Sequence, residues 1–189
     1  EALALSRTFI AAILLASTIM YPRVIIEVGV VNASLLPDLW PFIALLTLSG
    51  LALSFFLGWK AIDDVEEEVS LRNPFRLSSA LQLGLLFAII LVASKISVTY
   101  YGEQGLLITA ALSGLADVDA MTLSAASLAG ESISNPTAVT AIMIAAVANT
   151  FTKGVIVIVL GTSKLRRHAL WGFGPLILVG ILTILWIMM

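Results

Sequence analysis

The sequence predicts an all-α integral membrane protein, a bundle of five to six transmembrane helices with a broken or re-entrant segment at 105–130. Three observations predict it. Of 189 residues, 60% are hydrophobic and 12% are charged, about half the ~25% charge of a soluble domain. Several apolar runs approach the ~20 residues that a helix needs to cross about 30 Å of hydrocarbon. One of these runs, 105–130, carries Asp117 and Asp119 in its middle, and only a protein interior or a watery cavity can hold them there. The whole chain, 1–189, reads as a single transmembrane domain. It opens on Glu1 with no basic stretch or cleavage site before the first apolar run, and is therefore read as the C-terminal part of a longer or processed protein.

Composition also excludes several chemistries. No Cys is present and His168 is the single histidine. Disulfides, thiolate metal sites, cysteine nucleophiles and multi-histidine zinc sites are therefore ruled out within this chain. The formal charge of −2 argues neither for nor against an anionic partner, and nothing points to nucleic acid.

The first span is expected at 8–31, kinked by Pro22, which removes a backbone hydrogen bond. Arg23 is expected to snorkel to the headgroups or to pair with Glu27 at i+4. Residues 35–41 form a turn in which Asp38 caps the second span and Trp40 sits in the interfacial belt. That second span, 39–59, is uncharged. The stretch 60–76 is hydrophilic, and its run Asp63, Asp64, Glu66, Glu67 and Glu68 reads as the solvated face of a short interfacial helix, ahead of a metal-collecting patch. Asn73-Pro74 and Asn135-Pro136 each pair a good N-cap with a proline at the first helical position. They open the third span, 77–94 ending at Lys95, and the fifth, 137–161. The last span, 169–189, follows the basic loop Lys164, Arg166, Arg167 and His168. Small residues crowd the fourth and fifth segments, from Ala110 to Ala126 and from Ala138 to Ala148, so these two are expected to pack closely.

Loop charges conflict with six simple spans. Lys60, Arg72 and Arg76 place one connection on the cytoplasmic side, and Lys164–Arg167 should join them there. Three crossings would put the two loops on opposite sides. Either segment 105–130 re-enters as two half-helices, broken at Ser113-Gly114, or Asn135-Pro136 marks a cytoplasmic turn of an ordinary six-span protein. Irregular backbone at membrane depth is tolerated where it is buried or lines a cavity.

Two carboxylates at a helix centre cost about 2.5–3.5 kcal/mol each on the insertion scale, which the segment's leucines and isoleucines barely offset. They mark the candidate site. Asp117 and Asp119, with Thr122 and Asn149 as neutral oxygen ligands, form the candidate metal set for a hard cation such as Mg²⁺. Ser113, Ser124 and Lys153 complete a cation or proton pathway, since a buried Asp can also carry protons. The bland alternative is an internal ion pair of one Asp with Lys153. An enzyme is not expected. The Gly-x-Gly-Asp element of intramembrane aspartyl proteases is missing, and Asp-Val-Asp alone falls short of the several Asp and accompanying bases of a phosphotransferase.

The motifs Asn73-Pro74-Phe75, Gly105-Leu106, the run from Ser113-Gly114-Leu115-Ala116-Asp117-Val118-Asp119 to Ser124, and Ala148-Asn149-Thr150 with Lys153 carry a resemblance. Over nearly its whole length the chain resembles the uncharacterised C-terminal membrane domain found behind MgtC/SapB-type domains. The resemblance implies an N-terminal MgtC/SapB-like partner domain, a multi-pass place in a prokaryotic cytoplasmic membrane and an association with magnesium. It implies no catalytic residue and no resident cofactor. The expected function is transport of a cation, divalent such as Mg²⁺ or proton-coupled, through the Asp-containing site. The alternative is a non-transporting regulatory or scaffold module with internally paired charges. Besides the lipid bilayer, a homo-oligomer is a partner that the small polar helix faces would allow.

Overall fold

The computed structural model describes residues 2–59 and 77–189. The acidic run at 63–68 and Asn73-Pro74 lie outside the described residues. Among those described, regular structure is helical throughout: α1 (Ala2–Thr18), α2 (Met20–Val31), α3 (Leu36–Gly58), α4 (Leu77–Gly114), α5 (Val118–Leu128), α6 (Asn135–Leu160) and α7 (Ser163–Met188). Four stretches are long and apolar enough to cross a membrane: Arg7–Val31, Ala33–Gly58, Asn135–Leu160 and Ser163–Met188. Over the described residues the protein is all-helical, and its four long apolar helices fit a multi-pass membrane protein.

α1 and α2 form one kinked span. Pro22 has no N–H to give to the Thr18 carbonyl, and its ring crowds that oxygen. The helix is interrupted at Ile19, which keeps φ −59°, ψ −22°, so the axis bends without turning back. At the far end Asn32 accepts from the Ser34 N–H (3.3 Å) and caps the short turn Ala33–Leu35 that leads into α3. Asp38 therefore does not cap α3. It lies inside the first turn, where a carboxylate still favours the positive end of the helix dipole.

The third span does not end at Lys95 but continues to 101. α4 is two limbs, 77–101 and 103–114, joined at Gly102 with φ 62°, ψ −153°. Positive φ is open to glycine at little steric cost, and here the chain reverses. The Thr109 hydroxyl donates to the Ser97 hydroxyl at 2.9 Å, although twelve residues of straight helix would separate them by about 18 Å. A side chain at Gly105 would overlap the Ser97 carbonyl.

From Gly102 the limb 103–114 descends into the bundle, breaks at 115–117, and returns as α5. The Ser113 carbonyl accepts from both Ala116 N (2.9 Å) and Asp117 N (2.8 Å), which closes the first half-helix. The break thus falls just beyond the expected Ser113-Gly114, because Gly114 is held in the helix against α6. A Cβ there would lie 2.6 Å from the Ala145 Cα and carbonyl oxygen. This close approach is what the small residues of the two segments predict.

Both ends of the interrupted segment meet. The Glu103 carboxylate accepts from Ser134 N and from the Thr137 hydroxyl, each at 2.6 Å. Asn32 donates to the carbonyls of Ala126 (3.2 Å) and Ala129 (3.3 Å) beside them. Ser134, not Asn135, is the N-cap of α6, with Pro136 inside the first turn. Asn32, Gly102 and Ser134 therefore share one end of the bundle. The opposite end gathers Arg7 of α1, Leu57 of α3 and Lys164 and His168 of α7 around one cavity. α3 ends and α7 begins at that same basic end.

Candidate functional site

The site forms where the kinked α1–α2 span, the break before α5 and the middle of α6 converge. A cavity of about 310 Å³ is lined by Met20 and Arg23, by Asp117 and Asp119, and by Asn149 and Lys153. At 1.5 Å per residue the limb 103–114 rises about 18 Å and α5 about 16 Å, so the break lies well inside the bundle, away from the end at Gly102.

Asp117 is the N-cap of α5. Its backbone is extended, and its Oδ1 accepts from Asp119 N at 3.0 Å. A short acidic side chain suits this position because the first N–H groups of a helix lack internal partners. Asp119, in the first turn, forms an ion pair with Arg23 of α2. Arg23 also holds Glu27 at 3.2 Å, one turn along the same helix. Asn149 is buried and donates to the Gly114 carbonyl at 3.2 Å, tying α6 to the broken end of the first half-helix. One turn further, Lys153 Nζ points at Met20 Sδ, 3.4 Å away.

Several expectations are corrected. Lys153 shares the cavity with both aspartates but pairs with neither. Arg23 takes Asp119 instead, because α2 runs alongside α5 while Lys153 turns towards the kink at Met20. Arg23 accordingly lines the cavity as well as being the i+4 partner of Glu27. Asp117, Asp119, Asn149 and Lys153 come together as expected, whereas Ser113, Thr122 and Ser124 do not line the cavity. The Ser113 hydroxyl donates to the Thr109 carbonyl (2.7 Å) and the Ser124 hydroxyl to the Ala120 carbonyl (2.8 Å). Each is spent on its own helix. Thr122 is fully buried, and among the described residues its hydroxyl has no partner.

Sequence reading missed the part Arg23 and Glu27 play here. Their i, i+4 spacing behind Pro22 was the available signal, since a kink frees backbone and opens space inside a bundle. It also missed the buried hydrogen bond between the hydroxyls of Tyr21 and Thr150 (2.8 Å), which pins α2 to α6 beside the cavity.

The family model for a domain of unknown function, DUF4010, matches residues 1–161 of this chain. The chain belongs to the DUF4010 family. This DUF4010 chain is also 32% identical over 174 residues to an uncharacterized protein of Aquifex aeolicus, covering 88% of this chain and 74% of that protein. No solved structure matches it.

Among the described residues of this DUF4010 member, no group of three or more His, Asp or Glu side chains is placed to hold a metal ion. The cavity instead balances cations against carboxylates. Arg23 and Lys153 face Asp117, Asp119 and, through Arg23, Glu27, so the carboxylates exceed the bases by one when all are charged. Asp117 is the cavity carboxylate without an ion-pair partner among the described residues.

Proposed function

We propose that this DUF4010 domain is a membrane transport protein that passes a proton, or a cation exchanged for a proton, through the cavity at Asp117. The observation that carries this reading is an unpaired carboxylate in a cavity at the break of an interrupted helix, well inside the bundle. Interrupted helices whose ends meet at the midplane are how many transporters build ion sites, and intramembrane carboxylates mark such pathways. Arg23 and Lys153 act as fixed internal cations. Arg23 engages Asp119 and Glu27, which leaves Asp117 as the exchanging group.

In this reading five spans cross the membrane: the kinked α1–α2, α3, the limb 77–101, α6 and α7. The limb 103–114 and α5 re-enter from the side of Gly102 and Ser134. The basic end faces the cytoplasm of a prokaryotic cell. Asp117 and Asn149 also offer hard oxygen ligands to a divalent ion such as Mg²⁺, but Arg23 and Lys153 in the same cavity oppose a doubly charged guest. The magnesium association of MgtC/SapB-type proteins is the reason to include Mg²⁺ among the ions assayed.

The purified protein in liposomes, with a pH dye inside and an imposed gradient, tests the proposal. Asp117→Asn keeps the N-cap, because Asn caps as well as Asp, and removes the charge. Flux that disappears in Asp117→Asn at unchanged thermal stability supports transport. Equal flux in the variant, or none in the parent protein, sinks it. The pairing of Arg23 with both Asp119 and Glu27 favours the second reading, a scaffold module with internally neutralised charges. That reading predicts no flux for any ion and a loss of stability in Asp119→Asn.

A further inference from the structure

A second cavity, of about 720 Å³, lies at the basic end, remote from Asp117. α1, α3 and α7 enclose it. Arg7, Lys164, Arg167 and His168 supply its polar side, while Phe56 and Trp171, with two leucines of α3, supply an apolar one. Its polar side is organised. The His168 ring lies with Nδ1 2.9 Å from the Lys164 carbonyl oxygen, and its Nε2 accepts from Arg7 Nε at 3.4 Å. His168 thus sits between the Lys164 carbonyl and the Arg7 guanidinium, and Arg7, Lys164 and Arg167 give the cavity three basic side chains. Both ion pairs among the described residues lie elsewhere, on Arg23. Phe56 and Trp171 are exposed large apolar side chains at this basic end of the bundle.

We propose that this cavity is a binding site for an anionic phospholipid, with the phosphodiester headgroup held by Arg7, Lys164 and Arg167 and an acyl chain laid along Phe56 and Trp171. Three cations without carboxylate partners among the described residues match a phosphate, and Arg fits its oxygens through two parallel hydrogen bonds. The apolar wall beside them selects a lipid over a free anion. Basic pockets between membrane helices on the cytoplasmic side suit anionic headgroups, and that leaflet carries the negative lipid.

Native mass spectrometry of the full chain released from detergent, with phosphatidylglycerol or phosphatidylcholine added at equal concentration, tests the site. Phosphatidylglycerol is expected to stay bound at least tenfold more than phosphatidylcholine. Arg167→Gln and Lys164→Gln should each weaken its binding about fivefold, the factor for one basic group at a lipid surface. Arg167→Lys should recover part of the loss, whereas a merely unfolded variant would not recover. Equal retention of the two lipids overturns the proposal. So does saturation of the site by inorganic phosphate alone, or undiminished binding in the Lys164→Gln, Arg167→Gln double variant. The acidic run at 63–68 follows α3 in the sequence and is the rival counter-ion. If it fills the site, the parent protein will show no preference for phosphatidylglycerol until those acids are changed to amides, and that result also refutes the lipid site.

Discussion

The ion pair between Arg23 and Asp119 is the contact on which the site's geometry depends, and a double-mutant cycle measures it. Arg23 lies nine residues before Asn32, about 13 Å from that end of the bundle at 1.5 Å per residue. The side chains of Asp119 and Glu27 are only 23% and 16% exposed, against 60% for Arg23. A buried pair that loses one partner costs about 3–5 kcal/mol, since the remaining charge is stranded. A surface pair is worth about 0–1 kcal/mol. Two carboxylates here depend on one half-open guanidinium, which places the pair between these limits and nearer the buried one. Arg23→Gln and Asp119→Asn should each destabilise the protein, and the double variant should lose less than their sum, by about 2 kcal/mol. Reversible unfolding in mixed micelles, for the parent and three variants, gives the coupling directly. Arg23→Gln should be the worse single change, because it strands Glu27 as well, whose Oε2 is buried without a partner among the described residues. A coupling below about 0.5 kcal/mol, the value of an exposed pair, would refute the role given to Arg23.

Other outcomes follow from the same geometry. Gly114→Ala places a Cβ 2.6 Å from the Ala145 backbone and should cost about 1–3 kcal/mol through overpacking, while Gly130→Ala, with nothing within 4 Å, should act only through its φ of 83°; thermal unfolding compares the two. The chain has no Cys, so Lys60→Cys and Lys164→Cys can be tagged singly with an impermeant maleimide. Both should react from one side of the membrane and Glu131→Cys from the other, and labelling of Lys60→Cys and Lys164→Cys from opposite sides would eliminate the re-entrant arrangement. Glu103 is held below its ordinary value by hydrogen bonds from Thr137 and then Ser134. A carboxyl lowered in the folded state contributes stability above its unfolded value near 4.5 and loses it as pH falls through the folded one. The parent should therefore be more stable than Glu103→Gln at pH 7, with the gap closing below about pH 4.5; a gap independent of pH would show that the carboxylate does not clamp Ser134.

Much of this was legible in the chain because it is local. Pro22 marks the kink whatever surrounds it, and Asp117 caps α5 with an N–H two residues away. The excess of bases in the loops already conflicted with six spans. The clue to an interrupted segment was electrostatic, since positive charge resists crossing and so reports the side on which each loop stays. Boundaries were less legible. Ser134 displaced Asn135 as the cap because Glu103, distant in sequence, holds its N–H. The end at Lys95 was misplaced because the true stop, Gly102, shows itself only where the chain folds back on Ser97.

By itself the sequence determined a helical membrane protein with two costly aspartates in an interrupted segment, because hydropathy, glycine, proline and capping act over a few residues. The tertiary structure alone decided which cation Asp119 meets. Arg23 and Lys153 were both within chemical reason, and no local rule ranks partners 96 and 34 residues away. The ranking comes from packing. α2 lies along α5 and carries Arg23 to Asp119, while the kink at Ile19 turns Met20 towards Lys153 and leaves Asp117 without an ion-pair partner among the described residues.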